Sequence, residues 1–181
     1  MDPQHQATCL EALRDAVGEV AATVLGGVPV AAAPAVENLD PASCHGAYLA
    51  LVAQEEPIQV ALLANAAGCQ TLSKLLLGMD AADEDLPDAD VSDAMCEVIN
   101  IVAGGLKRRV SAELKVTLGL PLFVAGPLMP NQMQQVHGSA LSLGDVQVVV
   151  LLLTQRENAE PISKSGVNQI AATKLAKEQS A

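Results

Sequence analysis

Aromatic residues are almost missing from this 181-residue chain, which has one tyrosine, Tyr48, one phenylalanine, Phe123, and no tryptophan. Cations are scarce too: 10 lysines and arginines face 21 carboxylates, for a formal net charge of -11. Nucleic-acid binding by phosphate neutralisation and base stacking draws on the opposite composition, so that class is set aside. The shortage of rings also weighs against a sugar-binding cleft or a pocket for a large flat cofactor.

Long apolar runs are missing as well. The longest strictly aliphatic stretch, Val148–Leu153, is far below the roughly 20 residues a membrane-spanning helix needs. The first residues, Met-Asp-Pro-Gln-His-Gln, lack the basic-then-apolar order of a secretory signal, and a cytoplasmic protein without membrane contact is expected. Cys9, Cys44, Cys69 and Cys96 form no CxxC pair, and His5, His45 and His137 stand alone. Neither a zinc site nor a redox motif follows from such spacing, so no metal is assigned to the chain and the cysteines read as small buried thiols.

The length suits one domain of ordinary size, placed at residues 1–155, with a polar C-terminal tail at 156–181. Leu10, Leu13, Val17, Val20, Ala21 and Val24 recur at helical spacing between Thr8 and Leu25, and Gly26-Gly27 closes that segment. Short β-prone runs follow at Val28–Ala33, Ala47–Val52 and Pro57–Leu63, with Glu55-Glu56-Pro57 as a turn. A meander is the economical arrangement for them. Ala67–Leu77 is helical up to Gly78, and Met79–Asp90 is an acidic connection that reads as a solvated linker. Val91–Arg109 is predicted as a long helix capped by Ser92. Three more strands fit Leu114–Val124, Met133–Leu143 and Val146–Thr154, the last aliphatic enough to be central or at a dimer seam. The tail carries a weak amphipathic stretch at Val167, Ile170, Ala171 and Leu175, and its composition points to a disordered or loosely docked segment.

An internal repeat organises these elements. Asp15-Ala16-x-x-Glu19-Val20-x-x-x-Val24-x-Gly26-Gly27 superposes on Asp93-Ala94-x-x-Glu97-Val98-x-x-x-Val102-x-Gly104-Gly105. Each copy is a helix followed by about three strands. The expected fold class is therefore α+β: two pseudo-symmetric helix-plus-three-strand halves forming an antiparallel sheet, with long helices on one face. The copies differ at one telling position, where Asn100 in the second stands against Ala22 in the first.

At about 100° per residue, Val91, Ala94, Met95, Val98, Ile99, Val102 and Leu106 share one side of the second helix. Asp93, Glu97, Asn100 and Gly104 share the other. Asn is a poor helix-interior residue and each helical Gly costs roughly 1 kcal/mol relative to Ala, so local stability is given up on this face. A solvated surface and a working face both fit that description.

DxxxExxN with a glycine four residues on and Pro121 about twenty residues later resembles the signature of the CheX/CheC/FliY chemotaxis phosphatases. The stretch Asp93-Ala-Met-Cys-Glu97-Val-Ile-Asn100-Ile-Val-Ala-Gly104-Gly is similar to the active helix of CheX, and the resemblance runs from about Leu10 to Thr154. It implies hydrolysis of the aspartyl phosphate on a CheY-type response-regulator receiver domain. Asn100 would position the attacking water and Glu97 would pair with the receiver's lysine. Asp93, Gly104 and Lys107 are the expected partner-binding residues, although for Asp93 complementing the helix dipole in the first turn is the preferred reading. The resemblance also implies a homodimer joined through sheet edges, and Mg²⁺ held by the receiver rather than by this chain. Two other classes remain open: a noncatalytic receiver-binding or flagellar-switch-like adaptor on the same fold, and an acid/base enzyme using Asp93 and Glu97. The last lacks carboxylates opposed across a cleft.

Overall fold

A computed structural model describes residues 3–33, 44–53, 57–110, 115–126 and 134–155. The turn expected at 55–57 falls partly outside these residues, and the tail at 156–181 does so entirely. The elements run α1 (Pro3–Thr23), β1 (Val30–Ala32), β2 (His45–Ala53), β3 (Pro57–Ala64), α2 (Ala66–Leu76), α3 (Asp88–Val110), β4 (Val116–Ala125), β5 (Gln134–Leu143) and β6 (Val146–Gln155). One antiparallel sheet takes the strands in the order β1-β5-β6-β3-β2-β4.

That order reads the same backwards when β1 is exchanged with β4, β2 with β5 and β3 with β6, which is the pseudo-twofold relation the repeat predicts. The hairpin pair Leu49–Val60 has its counterpart in Ser139–Val150, and β3 and β6 meet at the centre. The expected meander is corrected in one respect. β2 and β3 form a hairpin, but β1 crosses to the far edge and pairs with β5, just as β4 pairs with β2. Each half thus lends its first strand to the other, shielding a hairpin edge that would otherwise stay open. β6 lies between β5 and β3, so its aliphatic run is a central strand and cannot serve as a dimer seam.

Helix ends follow local chemistry. Asn65 caps α2 by accepting from the Gly68 N–H at 2.7 Å, and Gly78 at φ +68° turns the chain away beyond its end. α3 starts earlier than expected, and Ser92 lies inside it. Pro87 sits just ahead with its φ already fixed, its carbonyl accepts from the Asp90 and Val91 N–H groups, and Asp88 and Asp90 complement the positive helix end. The acidic connection is solvent-exposed but latched. Buried Lys74 donates to the Asp83 carbonyl at 2.7 Å and to Asp85 at 3.0 Å, while Gln70 both donates to and accepts from the Leu86 backbone.

The core lies between the helices and one sheet face, with Leu13, Leu49, Leu62, Leu72, Met95, Ile99 and Leu152 fully buried. Cys9, Cys44 and Cys69 are buried as expected; Cys96 is only half-buried, which corrects that expectation for one thiol. Gly105 lets α1 and α3 approach closely, since a Cβ there would stand 3.0 Å from Ala16 Cβ. Beside this contact Glu19 of α1 accepts from Arg108 at 3.1 Å and from Arg109 at 2.9 Å. The Arg109 hydrogen bond, helped by both guanidinium charges, holds the Glu19 carboxyl below its ordinary 4.5.

Two predictions follow from the helix contact. Gly105→Val should lower stability by about 1–3 kcal/mol in urea unfolding, because a branched side chain must force the helices apart. Since the Glu19 pKa is lowered on folding, its contribution is present above pH 4.5 and lost as pH falls through the folded value. The stability difference between wild type and Glu19→Gln should therefore exist at neutral pH and close in acid, as read from urea midpoints across pH.

Candidate active site

α3 owes its orientation to its apolar stripe. Val91, Ala94, Met95, Val98, Ile99, Val102 and Leu106 are all buried, and burying so many apolar side chains fixes the rotation of the helix about its axis. The opposite side follows from that rotation. Asp93, Glu97, Asn100, Gly104 and Lys107 form one outward ridge, with Asp93 and Glu97 exposed and the other three half-buried. Residues three and four apart on a helix are neighbours, so the five residues singled out from the sequence share one surface.

This ridge has no internal use for its polar groups. Among the described residues, the side chains of Asp93, Glu97, Asn100 and Lys107 make no hydrogen bond or ion pair within the chain. Gly104 is equally unexplained from inside, since a Cβ added there would meet nothing within 4 Å. The contrast with Gly105 separates the two glycines: one serves helix packing, the other leaves the ridge bare.

The first copy of the repeat is in a different state. Ala22 provides no carboxamide, and Glu19, the counterpart of Glu97, is occupied by Arg108 and Arg109. Sequence reasoning missed this clamp, although two arginines in the last turn of α3 were a visible signal. The glycine pairs also diverge. Gly26 and Gly27 take φ +72° and +78° beyond the end of α1, whereas Gly104 and Gly105 lie within α3.

β4 runs alongside the ridge. The Cys96 thiol reaches the Phe123 backbone, and burial first, then the Asp93 charge, pushes it above its ordinary range. Pro121 sits opposite Leu49 next to a register shift in an edge strand, a position where its missing N–H costs nothing. At that bulge Leu120 is 89% exposed. A proline inside a predicted strand was the signal that could have identified β4 as an edge. A cavity of about 250 Å³ lies along α2, lined by Gln70, Thr71, Lys74 and Asp85 among others, and no ridge residue lines it.

Chemically, a carboxamide can donate to one group while accepting from another, and an exposed carboxylate can pair with a cation. On a single outward-facing helix these groups are open to an approaching surface.

The family model described as chemotaxis phosphatase CheX matches residues 49–141. No curated protein matches the sequence significantly. Several solved structures share the fold at low identity. CheX from Vibrio vulnificus superposes with TM-score 0.66 at 12% identity, covering 81% of this chain and 96% of that one. CheX from Borrelia burgdorferi, solved in complex with CheY, BeF3 and Mg²⁺, gives TM-score 0.57 at 18% identity and covers 81% and 97%. FliY from Thermotoga maritima gives TM-score 0.59 at 11% identity, covering 87% and 92%. No helix among the described residues is long and apolar enough to cross a membrane. The ridge on α3, the interlocked halves and a family match over half the sequence place this chain in the CheX family of chemotaxis phosphatases.

Proposed function

We propose that this protein hydrolyses the aspartyl phosphate of a CheY-type receiver domain in the cytoplasm, with Glu97 and Asn100 as its catalytic pair. The observation that carries the reading is the ridge itself: a carboxylate and a carboxamide with no partner among the described residues, next to a helical glycine that no contact among them explains. An acyl phosphate is already activated, so orienting water in line with phosphorus supplies much of the rate gain. Asn100 holds that water. It attacks phosphorus, the bond from phosphorus to the aspartyl oxygen breaks, and inorganic phosphate and the free carboxylate result. Glu97 pairs with the receiver's lysine beside the phosphoryl group and sets the depth of docking. Mg²⁺ belongs to the receiver's acidic pocket, and this chain supplies no cofactor. Gly104 gives the receiver room, Lys107 meets its acidic surface, and Asp93 flanks the docked partner.

The family likeness also supports a homodimer, and β4 is the edge suited to it. It is ten residues long, where the other edge strand, β1, has three, and it exposes Leu120 and Leu122. Leu122→Lys should shift the mass measured by sedimentation from dimer to monomer; an unchanged mass would remove β4 from the interface.

Kinetics of phosphate loss from a phosphorylated receiver with Mg²⁺ test the reading. Asn100→Ala should lower kcat about 100-fold or more with little change in KM, whereas Glu97→Ala should act mainly on KM. Gly104→Leu should weaken receiver binding while leaving the fold intact, and Gly104→Ala should raise stability by up to about 1 kcal/mol. Binding of the phosphorylated receiver without faster phosphate loss would make the protein an adaptor instead.

A further inference from the structure

The pseudo-twofold relation gives every described element a counterpart except α2. That helix and the connection after it, Gly78 to Pro87, enclose the cavity of about 250 Å³. Ala67 and Leu75 of α2 and Met79 and Ala81 of the connection supply its apolar walls. A cavity of about 150 Å³ can admit a benzene ring, so an aliphatic side chain fits here, and methionine adapts its shape to what enters.

Around this groove the charge is of one sign. Asp80, Asp83, Glu84, Asp85, Asp88 and Asp90 are all exposed, and Lys74 is the one cation between Ala66 and Asp90. Lys74 is only 6% exposed, so it lies beneath the carboxylates rather than among them. A buried ammonium must be paired and hydrogen-bonded, and the connection meets that need through the Asp83 carbonyl at 2.7 Å and the Asp85 carboxylate at 3.0 Å. The Asp83 carboxylate in turn accepts from the Asp80 N–H at 2.8 Å, and Gln70 holds the Leu86 backbone. A segment that only has to be solvated has no use for this anchorage. What the anchorage does is hold a row of carboxylates beside an apolar cavity before any partner arrives, which lowers the ordering cost of binding.

We propose that the groove between α2 and the acidic connection is a docking site for a cationic segment of a partner protein. One aliphatic side chain of that segment enters the cavity, and lysines or arginines beside it meet Asp80, Glu84 and Asp85. Charge complementarity selects this occupant: the carboxylates repel an acidic chain, a second copy of this one at net charge -11 included. The site is separate from the α3 ridge, none of whose residues lines the cavity.

Titration of the full-length chain with synthetic peptides tests this, read by amide-resolved NMR and by fluorescence anisotropy at low salt. The probe is a short peptide of lysines and leucines; one control carries serine in place of leucine, another glutamate in place of lysine, and spermidine stands for a small cation. The lysine–leucine peptide should shift the amide signals of Thr71, Leu75, Met79 and residues 80–86, and the serine control should bind about tenfold more weakly. Asp80→Lys combined with Glu84→Lys should weaken the lysine–leucine peptide about tenfold or more. Ala67→Leu, whose larger side chain takes up cavity space, should remove the difference between the leucine and serine peptides. Equal affinity for those two peptides on the wild-type chain overturns the proposal, because charge alone would then account for binding. So do shifts that avoid α2, no binding at millimolar peptide, or the same shifts with spermidine at equal affinity, which would mark a small-cation site instead. The wild-type comparison decides the matter without the variants, and the three substituted residues are exposed.

Discussion

Everything in this fold rests on the pairing of β3 with β6. The two hairpins meet there, both strands are apolar on both faces, and the register from Gln59–Leu153 to Leu63–Val149 sets where each half stands relative to the other. A slip of one residue would turn Val60, Leu62, Val150 and Leu152 out of the core. The strand exchange at the edges and the approach of α1 to α3 at Gly105 both presuppose that register. So does the ridge, because α3 packs on the sheet with its apolar stripe down, and the direction of Glu97 and Asn100 follows from that packing.

A duplicated architecture with one equipped face is the outcome. In the first copy the glutamate is spent on holding two helices together, and Ala22 offers nothing to orient a water. In the second, Glu97 is exposed and Asn100 half-buried, and neither is engaged among the described residues. The unengaged state is costly for a helix, as Asn100 and Gly104 both lower its intrinsic stability. The cost is sustainable because the buried stripe from Val91 to Val110, together with the Lys74 and Gln70 latch ahead of the helix, fixes α3 without help from its outer face.

Much of this was legible in the sequence, for identifiable reasons. The helices and all six strands announced themselves through period and punctuation, and the repeat with its Ala22/Asn100 difference pointed to α3. The ridge could be drawn from spacing alone because a rigid helix converts sequence separation directly into geometry. What was not legible depended on distant partners. Nothing local to Val30–Ala32 says that it joins β5 across the sheet, nor does Glu19 reveal that Arg108 and Arg109 will claim it. Ser92 looked like a cap because Asp88–Asp90 read as linker, whereas Pro87 had already started the helix. Lys74, in a segment read only as helix, turned out to hold the acidic connection that composition alone described as a free linker.

The central claim is that α3, and not its twin, is the working face. The most direct measurement is an amide-resolved footprint of the full-length chain mixed with a beryllofluoride-activated receiver and Mg²⁺. Signals from Asp93 to Lys107 on the ridge should shift or broaden while those from Asp15 to Ala22 stay in place. A footprint on α1, or one that spares Asn100 and Gly104 while the receiver binds, would contradict the account.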